Sequence, residues 1–327
     1  MALFRHKVFL ATLISISMFT LCTSLFAPVA KAKTLPSQIT KSDNSCTQIP
    51  TNVDPTKFSD SQLQQYGLPK RPGNMSDTDW NALLTHAKLR YCNGTQTNVR
   101  EVSEEFSSNW TGNIGIGSGY QVVQSYFYVP CVSSHSSNVY SSQWVGLGGD
   151  DSDGGGNLVQ TGIESDWYNG SPSYYAWYED YPANPYSYFV FSVNCGDKIY
   201  AQSDDNYSMR NYAYMFIEDI TRGVYSAEGE TEQSNGSTAE WITERPELNN
   251  QFPPLVNFNS ITFFNDYTLQ NGVWKGVGNV SHNYSIMCSG GWWTCGPFST
   301  QLAYPGGISN NLNFTNYWQN YGSWDNA

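Results

Sequence analysis

The chemistry open to this chain is narrowed first by what it lacks. It carries four histidines. Only His86, His135 and His282 lie beyond the leader-like start, and they are scattered, which argues against a Ser-His or Cys-His nucleophile. The sequence holds no Gly-x-Ser-x-Gly elbow, no His-Glu-x-x-His and no phosphate loop. Neither Asp-Thr-Gly nor Asp-Ser-Gly occurs, so paired aspartates of the pepsin kind are not signalled. The absence of Cys-x-x-Cys argues against zinc. Carboxylates and amides in an aromatic setting remain, with 15% Phe, Trp and Tyr.

Four groups of segments carry those side chains in order. They are Ser108-Asn109-Trp110-Thr111-Gly112, Trp144-Val145-Gly146-Leu147-Gly148-Gly149, Leu158-Val159-Gln160-Thr161-Gly162, and Ala176-Trp177-Tyr178-Glu179-Asp180-Tyr181-Pro182 together with the later Ala239-Glu240-Trp241-Ile242-Thr243-Glu244. Taken singly, Gln160 reads as a polar strand residue and Glu240 as half of a surface ion pair. Alternate residues of a strand share a face. Gln160, Gly162 and Glu164 therefore form one set, and Glu240, Ile242 and Glu244 another. If the two sets meet on one sheet, their carboxyls raise one another's pKa.

In this order the segments resemble the glutamic peptidase (eqolisin) family, over about residues 104–270. The resemblance implies a β-sandwich of two seven-stranded antiparallel sheets, export as a precursor, and cleavage of proteins in acid without metal or cofactor. It places the catalytic pair on Gln160 and Glu240. The pocket tryptophans fall on Trp110 and Trp144, and a carboxylate and a tyrosine fall on Glu179 and Tyr181. Gly112, Gly162 and Glu164 complete the expected substrate-binding set, while Trp177 and Trp241 are expected in the core. Glu240 is then expected to activate water as general base and return the proton to the leaving amine. Gln160 is expected to position that water and donate to the oxyanion. Two positions depart from the family pattern. Gly148 stands where aspartate is frequent, and Glu164 stands where an aspartate commonly follows Gln-Thr-Gly by two residues.

The elements that must hold these residues are strands. Aromatic or alternating runs recur from Phe106 onward, broken by Gly, Asn, Asp and Ser. Examples are Tyr120–Val129, Ser142–Leu147, Leu158–Ile163, Tyr174–Tyr181, Tyr188–Val193, Lys198–Ser203, Tyr212–Asp219, Ala239–Glu244, Ser260–Tyr267 and Asn313–Tyr317. This pattern predicts an all-β antiparallel sandwich. A rival function for the same scaffold is a glycosidase or a lectin-like binding module. Its obvious dyad, Glu240 and Glu244, would stand about 13 Å apart on a regular strand, against the roughly 5–9.5 Å that such carboxylates need. The run Asp150 to Asn157 superficially resembles a calcium loop, but lacks the closing glutamate and flanking helices, and reads as a turn, with weak cation binding left open.

The N-terminal third is of a different kind. Arg5, His6 and Lys7, an apolar stretch from Val8 to about Phe26, and Ala30-Lys31-Ala32 read as an export signal over residues 1–32. Residues 33–103 are polar, with helix starts at Asp60-Ser61-Gln62-Leu63 and Ser76-Asp77-Thr78-Asp79-Trp80 and a short helix over Trp80 to Tyr91. This stretch is a pro-segment or a small subdomain, and residues 104–327 form the sandwich. Loss of Cys22 with the leader leaves six cysteines, an even number suited to disulfides outside the cell. Cys46–Cys92, Cys131–Cys195 and Cys288–Cys295 is one of 15 possible pairings. With 28 acidic against 16 basic residues the chain suits neither nucleic acid nor an anionic membrane. A secreted monomer acting on polypeptides, free of membrane once the signal is removed, is expected. Charged residues make up only 13%, so few carboxylates need ionise to hold the fold, which favours acid tolerance.

Overall fold

The structure is a computed structural model; it describes residues 54, 57–59, 62, 102–150, 156–205, 213–230, 234–290, 295 and 299–327. The leader, Cys46, Cys92 and the expected helix over residues 80–91 lie outside the described residues. The first helix start is visible one residue early: Ser59 and Gln62 exchange hydrogen bonds, the Ser59 amide donating to Gln62 Oε1 at 3.0 Å and the Gln62 amide to Ser59 Oγ at 3.4 Å.

The strands follow in chain order. β1 (Val102–Ser107), β2 (Trp110–Ile116), β3 (Tyr120–Tyr128), β4 (Ser142–Leu147), β5 (Leu158–Tyr168) and β6 (Ser171–Tyr181) come first. β7 (Asn184–Ser192), β8 (Lys198–Asp204), β9 (Ala213–Asp219), β10 (Val224–Glu230), β11 (Thr238–Glu244) and β12 (Gln251–Phe252) follow. The last are β13 (Ser260–Gln270), β14 (Val273–Gly276), β15 (His282–Ser289), β16 (Thr300–Pro305), β17 (Asn313–Trp318) and β18 (Asp325–Asn326).

Two halves build the sandwich, each with seven strands along the hydrogen-bonded path; β1 attaches beside β15 and β14 beside β13. One runs β10-β9-β8-β3-β13-β17-β16 and the other β15-β2-β11-β4-β5-β6-β7. The halves are hydrogen-bonded to each other where the end of β15 meets β16, at Met287↔Ala303 and Ser289↔Thr300. Among the described strands β1 runs parallel to β15, along His282 to Met287. The core lies between the halves, where β4 and β5 pack over β8 and β9. Val145, Leu147, Val159, Ile163, Ala176 and Trp241 face inward from one half, and Val123, Phe127, Ile199, Ala201, Met215 and Ile217 from the other. Trp241 Nε1 donates to Gln124 O across the core at 3.0 Å, and Ser203 Oγ to Val145 O at 3.1 Å. Disulfides join Cys131 to Cys195 and Cys288 to Cys295, as the sequence suggested.

Turn chemistry sets the register on which the site depends. Asn169 and Gly170 both have positive φ, 50° and 79°. Such a two-residue turn matches the right-handed twist of a hairpin. It pairs Tyr168 with Ser171 and, eight residues back, Gln160 with Glu179.

Candidate active site

Three cross-strand rows define the site, all on the face of the β2-β11-β4-β5-β6 sheet turned away from the core. The middle row reads Ile114, Glu240, Gly146, Gln160, Glu179. Two residues along the strands the row is Gly112, Ile242, Trp144, Gly162, Trp177, and the next is Trp110, Glu244, Ser142, Glu164, Tyr175. Strand alternation gives all of them one face. Gln160 and Glu240 therefore stand two strands apart with only a glycine between them.

That glycine is required by space. A Cβ at Gly146 would lie 2.8 Å from Leu158 Cδ1, 2.9 Å from Trp144 Cζ3 and 3.2 Å from Gln160 Cβ. Gly162 serves the row below in the same way, since a Cβ there would come within 2.5 Å of Trp144 Cβ. Gly112 ends that row, beside Ile242.

The pair is buried and short of partners. Glu240 is fully buried and Gln160 is 4% exposed. Gln160 Nε2 donates to Glu179 Oε2 at 2.8 Å. Its Oε1, and both carboxyl oxygens of Glu240, find no hydrogen-bond partner among the described residues. Buried polar atoms are almost always satisfied. Three orphaned oxygens on one row thus call for hydrogen-bonding partners from outside the protein, such as water or a substrate amide. Burial pushes the Glu240 carboxyl well above the usual range; the Thr238 hydroxyl offsets part of this without good hydrogen-bond geometry, and Asp150 and Glu105 add to it.

More carboxyls share the face. Burial, then the charges of Asp166, Glu244 and Glu179, push Glu164 well above the usual range. Glu179 is raised to about 7, by burial first and then by Glu244, against the lowering effect of the Gln160 amide. Glu244 is also raised to about 7 by burial, although Trp144 Nε1 donates to its Oε2 at 2.7 Å and Asn109 Nδ2 to its Oε1 at 3.1 Å. Asp166, one alternate position beyond Glu164, is raised to about 8 by burial while accepting from the Ser141 amide. This face is electrically settled when its carboxyls are protonated.

An aromatic wall completes it. Trp110 and Trp144 meet edge to face at 5.1 Å between ring centres. Trp144 packs with Ile114, Leu158, Trp177 and Ile242, and Trp110 and Tyr175 lean on the cluster. Trp241 is in the core as expected. Trp177, expected there too, is buried but on the face that carries Gln160. Tyr181 pairs with Leu158 beyond the middle row and is half exposed, which puts it at the rim. Sequence reasoning overlooked the spacer role of Gly146 and the part of Asp166, though 160, 162, 164 and 166 fall on one alternation. It placed Glu244 on one face with Glu240 but did not foresee that this carboxylate holds the Trp144 indole. The register of β11 is continuous from Thr238 to Glu244, so Glu240 and Glu244 keep the roughly 13 Å of a regular strand, too far for a glycosidase dyad.

Comparison with known proteins agrees with the motifs. The peptidase A4 family matches residues 108–289. The chain is 29% identical over 214 residues to aspergillopepsin-2 of Aspergillus niger, covering 57% of this chain and 74% of that protein. It is 33% identical over 185 residues to scytalidopepsin B of Scytalidium lignicola, covering 52% and 66%. Its fold is similar to that of scytalido-glutamic peptidase, solved with a transition state analog inhibitor, at a TM-score of 0.53 and 22% identity over 65% of this chain and 99% of that one.

Proposed function

The chain belongs to the peptidase A4 family, and from that premise we propose that it is a secreted endopeptidase that cleaves polypeptides in acid with Glu240 and Gln160. The observation that carries the reading is the row Glu240–Gly146–Gln160, whose three buried oxygens find no partner among the described residues.

Burial alters the starting state expected from sequence. In acid Glu240 is neutral, so it offers a donor on one oxygen and an acceptor on the other. As water attacks the scissile carbonyl, the carboxyl gives its proton to the carbonyl oxygen and takes one from the water. Gln160 Oε1 accepts the water's other hydrogen and fixes its line of approach. Of the two Gln160 Nε2 hydrogens, one is engaged by Glu179; the other faces the oxygen on which charge develops. Collapse of the tetrahedral diol reverses the relay. Glu240 protonates the leaving nitrogen and recovers a proton from a hydroxyl, so that acid and amine leave with the carboxyl neutral again. Trp110, Trp144 and Tyr181 would line the substrate's path, and Glu179 would hold the glutamine in orientation. Export follows from the leader over residues 1–32, and the stretch between that leader and β1 serves as a pro-segment removed on acidification.

Glu240→Gln tests the assignment, because it keeps shape and burial and removes the transferable proton. Cleavage of denatured casein at pH 3–4, insensitive to aspartic-peptidase inhibitors in the parent, is expected to fall by about a thousandfold or more. Thermal stability should be unchanged or raised. Residual cleavage near the parent rate in a folded variant would remove Glu240 from the mechanism.

A further inference from the structure

The last residues of the chain lie beyond the region matched to the family, yet they tie directly to the wall of the site. Arg245 follows Glu244 at the end of β11 and is fully buried. Its Nη2 donates to Ser108 O at 2.8 Å and to Asp325 Oδ2 at 2.8 Å, and its Nη1 donates to Ser323 O at 3.1 Å. The guanidinium sits 5.4 Å from the centre of the Phe252 ring. Phe252 is paired with Asp325 in the β12–β18 ladder, and the Ala327 amide donates to Asn250 O at 3.2 Å. The C-terminus is therefore a strap, laid beside β12 and pinned by one ion pair.

From Arg245 the contacts lead to the substrate face in two steps. Its backbone amide donates to Asn109 O at 2.8 Å, while its side chain holds the neighbouring carbonyl of Ser108. The Ser107–Trp110 turn is thus gripped from both sides, and Ser107 Oγ accepts from the Trp110 amide at 3.0 Å. Asn109 then reaches Glu244, and Glu244 holds the indole of Trp144. A guanidinium has a rigid fork of donors, so its position fixes the Ser108 and Ser323 carbonyls at once. Without Asp325, Arg245 would be a buried cation held by two carbonyls and the Phe252 ring with no carboxylate bonded to it, a costly arrangement that relaxes by moving.

We propose that Asp325 is a positioning residue for substrate binding: through Arg245 it sets the placement of Asn109, Trp110 and Glu244, so that the C-terminal strap tunes the affinity of the aromatic wall. This rests on the peptidase reading above. Asp325 touches neither the dyad nor its row, so its loss should act on binding and leave the chemical step nearly alone.

The test uses the full chain with Asp325→Asn and Asp325→Glu, a quenched peptide substrate at pH 4, and the indole N–H resonance of Trp144, assigned by substitution. Asp325→Asn is expected to raise KM about fivefold or more with kcat within about twofold, and to shift the Trp144 resonance. Asp325→Glu restores the carboxylate and should recover both. A purely structural role predicts the opposite split: a smaller active fraction lowers the apparent kcat and leaves KM unchanged, and that result overturns the proposal. So does an unmoved Trp144 resonance in folded Asp325→Asn. If the parent chain itself fails to cleave, the peptidase reading falls, while the resonance still reports whether the strap positions the wall.

Discussion

Glu218 offers a clean measure of how this fold responds to acid, because it lies in the half of the sandwich that does not carry the site. It sits on β9 between Tyr200 of β8 and Tyr225 of β10 and is 3% exposed. Burial, then the neighbouring charge of Asp219, raise its pKa to about 8 from an ordinary 4.5. Between those values the folded chain keeps a proton that the unfolded chain has released, so the free energy of unfolding falls as pH rises through the window. The stabilisation is complete below pH 4 and is lost progressively up to about pH 8. At about 1.4 kcal/mol per pH step, the loss from pH 4 to pH 7 is about 3 kcal/mol for this group. Glu218→Gln removes the titration and keeps the shape. Urea unfolding followed by tryptophan fluorescence at pH 4, 5, 6 and 7 should show parent and variant converging in slope at low pH and separating by about 3 kcal/mol in relative stability at pH 7. Parallel stability curves over that range, or a parent that grows more stable toward neutrality, would refute the reasoning.

Two further outcomes follow from the site itself. Glu179 and Glu244, both raised to about 7, are neutral in acid and charge as neutrality is approached, which places like charges beside the dyad; kcat/KM should fall between about pH 5 and 8, and Glu244→Gln should move that alkaline limb. A rate that climbs through pH 7 would contradict this. Gly146→Ala forces a methyl between Leu158, Trp144 and Gln160 at the distances given above, so it should cost about 1–3 kcal/mol of stability by overpacking and lower kcat/KM about a hundredfold by parting the dyad; near-parental turnover would show that the row does not act as a unit.

What the sequence discloses follows the range of the interactions. Runs such as Ser142–Leu147 and Ala239–Glu244 were readable because β4 and β11 bury aliphatic or aromatic residues at alternate positions. β2 escaped because Gly112 and Gly115 interrupt its apolar pattern, and β15 because His282-Asn283-Tyr284-Ser285 looks like a polar loop. β1, rich in glutamate, is a strand only because β15, some 180 residues later, lies beside it. The pairing of Gln160 with Glu179 was locally encoded, since Asn169-Gly170 fixes the hairpin. The pairing of Glu240 with Gly146 was not: it depends on β11 entering between β2 and β4, a long-range event that no local signal marks.

The two departures from the family pattern acquire different physical meanings in this fold. Gly148 has φ of 81°, and a Cβ there would meet Asn157 O at 2.4 Å and Ser234 Cβ at 2.9 Å. No side chain fits in this backbone, so an aspartate is excluded at that point by the path of the loop. Glu164 is a different case. It occupies the row of Trp110 and Glu244, opposite Ser142 and Tyr175, and takes part of its raised pKa from Glu244 and Glu179. The carboxyl lost at one corner is thus absent from a place that cannot hold it, while the longer carboxyl at 164 joins a cluster that already stores protons in acid. Protonation of that cluster removes the repulsion around Gln160 and Glu240. Of the two departures, the one at 164 therefore bears on how this face responds to pH, whereas Gly148 is fixed by the path of its loop.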